Sequence, residues 1–310
     1  MIDLTTINWN DVADLAKLDQ AGFIPSSGEQ LEEFQLRVSL SMAALESLQK
    51  RLEYEGEIDI GGTKIRRETL IPPEILAEGA AVSGSLYDFN IDWAPGFYFS
   101  EEVGILWGGS SVCDTLNHVS AYFLRSEFRT RRRYFIYDRT ELVAHELCHV
   151  ARQQLDDNVI EEYFAYQTSC SAFRRYIGNC FVHSYEAVVF ILASLLPVSA
   201  EVLNLFLDAP LPLWPFWGVA LAAIGSVLLK NHFIWRKLKS AERRLTKWGV
   251  TAAKAVLFRL TYKEIVQLNC LKSRPEMLEF AGKRAAAGDL RWRIIEYRFL
   301  SGESNTAKQS

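Results

Sequence analysis

Cysteine, histidine and net charge are all scarce in this chain of 310 residues. Its five cysteines are odd in number and without framework spacing, which argues for reduced thiols in a cytosolic setting. A formal net charge of −4 argues against a nucleic-acid binder, and no nucleic-acid partner is expected. The one basic run, Arg129-Thr130-Arg131-Arg132-Arg133, is short enough to be a solvated face or a set of ion-pair partners. The first twenty residues carry acids and no apolar core run, so no signal peptide is expected. No internal repeat and no low-complexity tract is present.

Two of the five histidines stand together in His145-Glu146-Leu147-Cys148-His149, an H-E-x-x-H. Chance placement in a chain of this composition yields about 0.006 such matches. On a helix, positions i and i+4 share a face, so both rings can hold one metal ion. Glu146 then points beside that face, where it can take a proton from a water on the metal. Asp138-Arg139-Thr140-Glu141 reads as the helix start with a capping box. His145, His149 and Arg152 gather on one side of the helix; Val143, Leu147 and Val150 gather on the other, toward a core. Cys148 flanks the ligand face and reads as a small buried thiol. Asp156-Asp157-Asn158 supplies cap-type residues for a second helix opening at Glu161-Glu162-Tyr163-Phe164-Ala165-Tyr166. A short turn makes the two helices antiparallel neighbours, which brings Glu161 or Glu162 to the histidine pair. Packing geometry alone does not choose between the two. Two His and one Glu leave a fourth position for water, the arrangement of a catalytic rather than a structural zinc site.

AHELCHVAR followed by EEYFAY resembles the zincin metallopeptidases whose third ligand is a Glu on the following helix, the gluzincins. The resemblance covers about 32 residues and implies Zn²⁺ held by His145, His149 and Glu162, with Glu161 the alternate ligand and Glu146 the general base. It also implies a peptide or protein substrate. Glu161 would then be free to pair with Arg152. For the donor that meets a developing oxyanion, Arg152, Tyr166 and His183 are candidates.

The surroundings divide into four stretches. Residues 1–57 read as helical, with apolar positions at three- and four-residue spacing. Residues 58–182 form the expected catalytic domain, in which Ile58–Tyr137 has the texture of short strands and turns. Gly61-Gly62 and Pro72-Pro73 punctuate it, GFYFSEEVGILWGG offers two β-prone runs around Glu101-Glu102, and RYFIY (133–137) is a further strand. One strand should be an edge able to hold an extended peptide. His118, in this region, reads first as structural and second as a substrate contact. Residues 185–230 read as a transmembrane hairpin. Residues 211–229 carry no charge over 19 positions, and Ala187–Leu207 is almost as apolar despite Pro197, Glu201 and Asn204. Arg174 and Arg175 precede it and Lys230, Arg236, Lys237, Lys239, Arg243 and Arg244 follow it, while the link Asp208-Ala209-Pro210 has no cation. That asymmetry predicts a lipid bilayer as partner, with both flanks and the catalytic domain on the cytoplasmic side. Residues 231–310 return to amphipathic helices. The expected class is α+β: mainly helical, with a small sheet beside the H-E-x-x-H helix.

Overall fold

Asp11 accepts a hydrogen bond from the Ala13 amide and starts α1 (Val12–Gln20). Glu33 reaches back to the Gln30 amide (3.1 Å) at the head of α2 (Leu31–Glu55), which stops at Gly56 in the left-handed region, φ 72°. Gly61 and Gly62, both at positive φ, make the two-residue turn between β1 (Glu57–Ile60) and β2 (Thr63–Arg66). The computed structural model describes residues 2–99, 104, 107–114, 118–207 and 210–301. As expected, the class is mainly helical α+β, with strands confined to small sheets.

Where the sequence predicts only strands and turns, the structure contains a 15-residue helix, α3 (Pro73–Tyr87). Pro73 occupies its first helical position, where a fixed φ favours the helix and the missing N–H costs nothing. The Pro72-Pro73 pair therefore opens a helix. Gly79 lets α3 lie hard against α4 (Arg139–Arg152): a Cβ there would come within 2.4 Å of Val143 Cγ1.

Behind α4 stands a three-stranded sheet of order β3-β5-β4. β3 (Gly96–Phe99) runs parallel to β5 (Val119–Arg125), and β4 (Gly109–Asp114) runs antiparallel to it, so β4 is an edge among the described residues. β3 is the first of the two expected runs; Glu101 and Glu102, and Val103, Ile105 and Leu106 of the second run, lie outside the described residues. RYFIY is not one strand. It is a tight hairpin, β6 (Arg133–Tyr134) paired with β7 (Tyr137–Asp138), turned by Phe135 and Ile136 with Phe135 at φ 51°.

After α4 come α5 (Glu161–Tyr166) and α6 (Ala172–Ile177), then α7 (Ser184–Asn204) and α8 (Trp214–Lys247). α7 and α8 are long and apolar enough to cross a membrane, and Val188, Leu192, Leu195 and Leu221 among their side chains remain exposed. Asn204 closes the turn between them, donating to the Leu211 carbonyl (3.0 Å) and accepting from its amide (2.7 Å). Asp208 and Ala209 of the expected link lie outside the described residues.

The division at 230/231 is not a break in the chain. α8 is one 34-residue helix running through it, and only its packing changes. Past Lys230, burial falls on Asn231, Ile234, Leu238, Ala241 and Leu245, a single stripe. That stripe meets α9 (Ala253–Phe258), α10 (Tyr262–Leu268), α11 (Arg274–Ala286) and α12 (Leu290–Ile295) in one apolar cluster. The same cluster contains Leu15, Leu18 and Phe34 from the N-terminal helices and Val143, Leu147 and Val150 from α4. The stretches 1–57, 58–182 and 231–301 thus share one core.

One of the charge clusters sealed inside that core ties the N-terminal helices to the C-terminal ones. The buried Asp19 carboxylate accepts from Arg259 Nε (2.8 Å) and from Arg298, and Arg259 also donates to the Tyr87 and Ala255 carbonyls (2.8 Å each). Removing the carboxylate leaves the fully buried Arg259 guanidinium without an anion, while Arg298 keeps Asp88 (2.9 Å). Asp19→Ala is expected to cost about 3–5 kcal/mol of stability, measured as thermal or denaturant unfolding in detergent. A loss inside ordinary surface-mutation scatter would contradict this account.

Candidate metal centre

Asp138 caps α4 by accepting from the Thr140 amide (3.0 Å). Glu141 does not complete a capping box. Its carboxylate turns outward to Ser169 Oγ (2.9 Å), the Cys170 amide (2.8 Å) and Arg174 Nη1 (3.1 Å), pinning the chain that follows α5. Leu142, Val143, Leu147, Cys148 and Val150 are buried, which fixes the rotation of α4 and leaves His145 and His149 facing a cleft. Cys148 is the buried thiol expected.

The second helix is shorter than its sequence suggests. α4 passes through a 3₁₀ turn, Gln153–Leu155, and reverses at Asp156 in the left-handed region (φ 46°). Asp157 does not cap α5: its carboxylate accepts from the Val159 amide (3.2 Å) and from the Tyr262 amide at the start of α10. α5 buries Tyr163, Phe164 and Ala165 and turns Glu161 and Glu162 toward α4.

The two carboxylates separate cleanly. Glu161 Oε1 lies 2.9 Å from His149 Nδ1, orienting that ring, while His145 hydrogen-bonds the Ala165 backbone. These are the partners that metal-ligating histidines use on their other nitrogen. That leaves His145 Nε2 and His149 Nε2 3.2 Å apart, with Glu162 Oε2 3.6 Å from the first and Oε1 3.5 Å from the second. Ligands about 2.1 Å from a tetrahedral ion stand about 3.4 Å from one another. The observed triangle is that size, so His145, His149 and Glu162 form a group that could hold a metal ion.

Charge points the same way. Burial pushes Glu146 up to about 7, with Glu162 adding to the rise against His149 and a hydrogen bond from Ser111. Burial and the neighbouring Glu161 also raise Glu162. Burial holds His145 well below its ordinary value, with His149 and Arg174 adding to it. For His149 burial acts downward too, but Glu161, Glu146 and Glu162 outweigh it and take the ring up to about 9. Three carboxylates crowded on two rings make a site short of positive charge, which a divalent cation supplies.

The cleft, about 720 Å³, is walled by Gly109, Ser110, Ser111 and Cys113 of β4. Among the described residues β4 is thus the edge strand beside the donor group, and it is a strand of low β-propensity that the sequence does not reveal. Tyr166 and His183 line the same cleft, and the Tyr166 ring stands 4.8 Å from that of His145. Arg152 does not. It is buried between the Phe164 and Phe258 rings (4.7 and 5.3 Å), donating to the Phe258 and Leu260 carbonyls, so the oxyanion role is not open to it; it pairs with Glu161 only through charge, which helps hold that carboxyl low. His118 lines a separate hollow with Glu33, Arg37 and Asp114. Compared with known protein families, with curated proteins and with solved structures, the chain gives no match.

Proposed function

We propose that the protein is a membrane-anchored, zinc-dependent peptidase whose cleft faces the cytoplasm. The observation that carries this reading is the donor triangle of His145, His149 and Glu162 with the buried Glu146 beside it. Imidazole and carboxylate donors suit zinc, and three protein ligands leave a place for water. A purely structural site has no use for Glu146.

Zinc, when bound, supplies a Lewis acid and brings the pKa of a water toward neutrality. Glu146, buried beside the ligand rings, accepts the proton of the attacking water and later delivers it to the leaving amine nitrogen. Ser111 holds the Glu146 carboxyl in place for both transfers. Tyr166 and His183 are the cleft's available hydrogen-bonding groups for the carbonyl oxygen as it gains charge. Among the described residues no strand pairs with the outer side of β4, and that edge supports a peptide over a small molecule, because an extended chain can pair with it by main-chain hydrogen bonds. Basic residues flank both ends of the hairpin and none occupies its link, which supports the cytoplasmic side.

Purified protein is expected to carry zinc and to hydrolyse unfolded casein, with activity lost to a chelator and restored by zinc. Bound metal without hydrolysis would make the site a folding staple. Hydrolysis of small amides or esters alone would move the reading to a small-molecule enzyme.

The anchor has its own test. The protein is expected to sediment with membranes and to need detergent for extraction. With the exposed Cys170 and Cys270 replaced by Ser, cysteines introduced as Ala209→Cys and Arg236→Cys should label from opposite sides of the membrane. Full solubility without detergent refutes the hairpin.

A further inference from the structure

One wall of the candidate metal cleft is built where the chain enters the membrane anchor. Phe181, Val182, His183 and Ala187 line the same cavity as His145, His149 and Glu162, and Ala187 lies in the first turn of α7. An ion pair marks where lipid begins. Lys230 ends the uncharged run of α8 and bonds Glu186 Oε2, which also accepts from the Val182 amide (2.8 Å) and the His183 amide (3.3 Å). Such a pair is costly in hydrocarbon and belongs at the headgroup level. Glu186 and Ala187 are adjacent, so the cleft opens at that level. A round cavity of 720 Å³ is about 11 Å across. An extended chain covers that in about three residues.

A second observation concerns the surface around the mouth. Tyr185 on α7, Phe173 on α6, and Phe135 and Ile136 at the β6–β7 turn are all exposed. Contacts hold these elements near one another: Arg174 on α6 donates to the Ile136 carbonyl (3.2 Å), and Asn231, the residue after Lys230, donates to the Tyr176 carbonyl (2.6 Å). Phe135 combines a left-handed backbone, at a turn position where glycine is usual, with 64 % exposure. In water both are costs. Against a headgroup layer the ring is favourably placed, as interfacial aromatics are.

We propose, resting on the peptidase reading, that the substrates are proteins anchored in the same bilayer and cut within the first few residues outside the lipid. A chain emerging beside α7 reaches β4 and the metal group directly, and tethering raises its concentration at the cleft. A chain free in solution has no such advantage.

The test uses full-length protein in liposomes and one casein segment presented in three ways. The segment is given free, fused to a transmembrane helix by a spacer of about four residues, and fused by a spacer of about thirty. The short tether is expected to be cut roughly tenfold faster than the other two, and cleavage should vanish in Glu146→Gln. Equal rates for all three forms, or a preference for the long spacer or free peptide, overturn the proposal and leave the peptidase reading standing. Cleavage of none overturns both.

Discussion

Glu146→Gln is expected to lower casein hydrolysis by about 10²–10⁴-fold while bound zinc stays at the wild-type level. Glutamine keeps the size and the hydrogen bond to Ser111 but cannot take a proton. The expectation rests on where Glu146 sits: it is buried, beside the ligand rings, and outside the donor triangle. Two measurements on one preparation decide it, metal by elemental analysis and hydrolysis by peptide release. Undiminished hydrolysis sinks the general-base mechanism and leaves the metal site standing. Loss of zinc together with activity would show that Glu146 helps hold the ion.

The second large effect separates adjacent carboxylates. Glu162→Ala removes a corner of the triangle and is expected to lose most of the zinc. Glu161→Ala removes only the partner of His149 Nδ1, so metal should remain with affinity weakened about 10–100-fold. The reverse order of metal content would exchange their roles. From the sequence the pair is nearly symmetrical, since packing geometry favours neither; the hydrogen bond to His149 breaks the tie by occupying Glu161.

The centre was legible because its signal is local. An i, i+4 histidine pair and a Glu on the next short helix sit within one contiguous stretch, and the apolar hairpin shows in composition alone. What escaped is set by distant parts of the chain. Arg152 shares a helical side with the histidines, yet its guanidinium is claimed by carbonyls more than a hundred positions later. β4, Gly-Ser-Ser-Val-Cys-Asp, has little to mark it as a strand, and its place at the edge depends on β5. β5 itself carried a modest signal, the adjacent aromatics Tyr122 and Phe123 with Val119 ahead of them. α3 is small and apolar on most sides, so no strong helical period stands out behind its opening prolines. At Lys230 a charge looks like an ending, but no residue there breaks a helix, and α8 continues.

The buried Asp19 cluster has a bearing on how the protein is made. Asp19 meets Arg259 and Arg298, 240 and 279 positions later in the chain. The His149 end of the metal helix is likewise steadied by carbonyls at 258 and 260 through Arg152. A ribosome delivers residues at about 5–20 per second, N-terminus first, so the metal helix and then the hairpin emerge before these partners exist. Chains halted near residue 250 are expected to be cut readily within 1–182 by added protease, and completed chains to resist. On this order of events the candidate centre takes its final shape only after the hairpin has emerged.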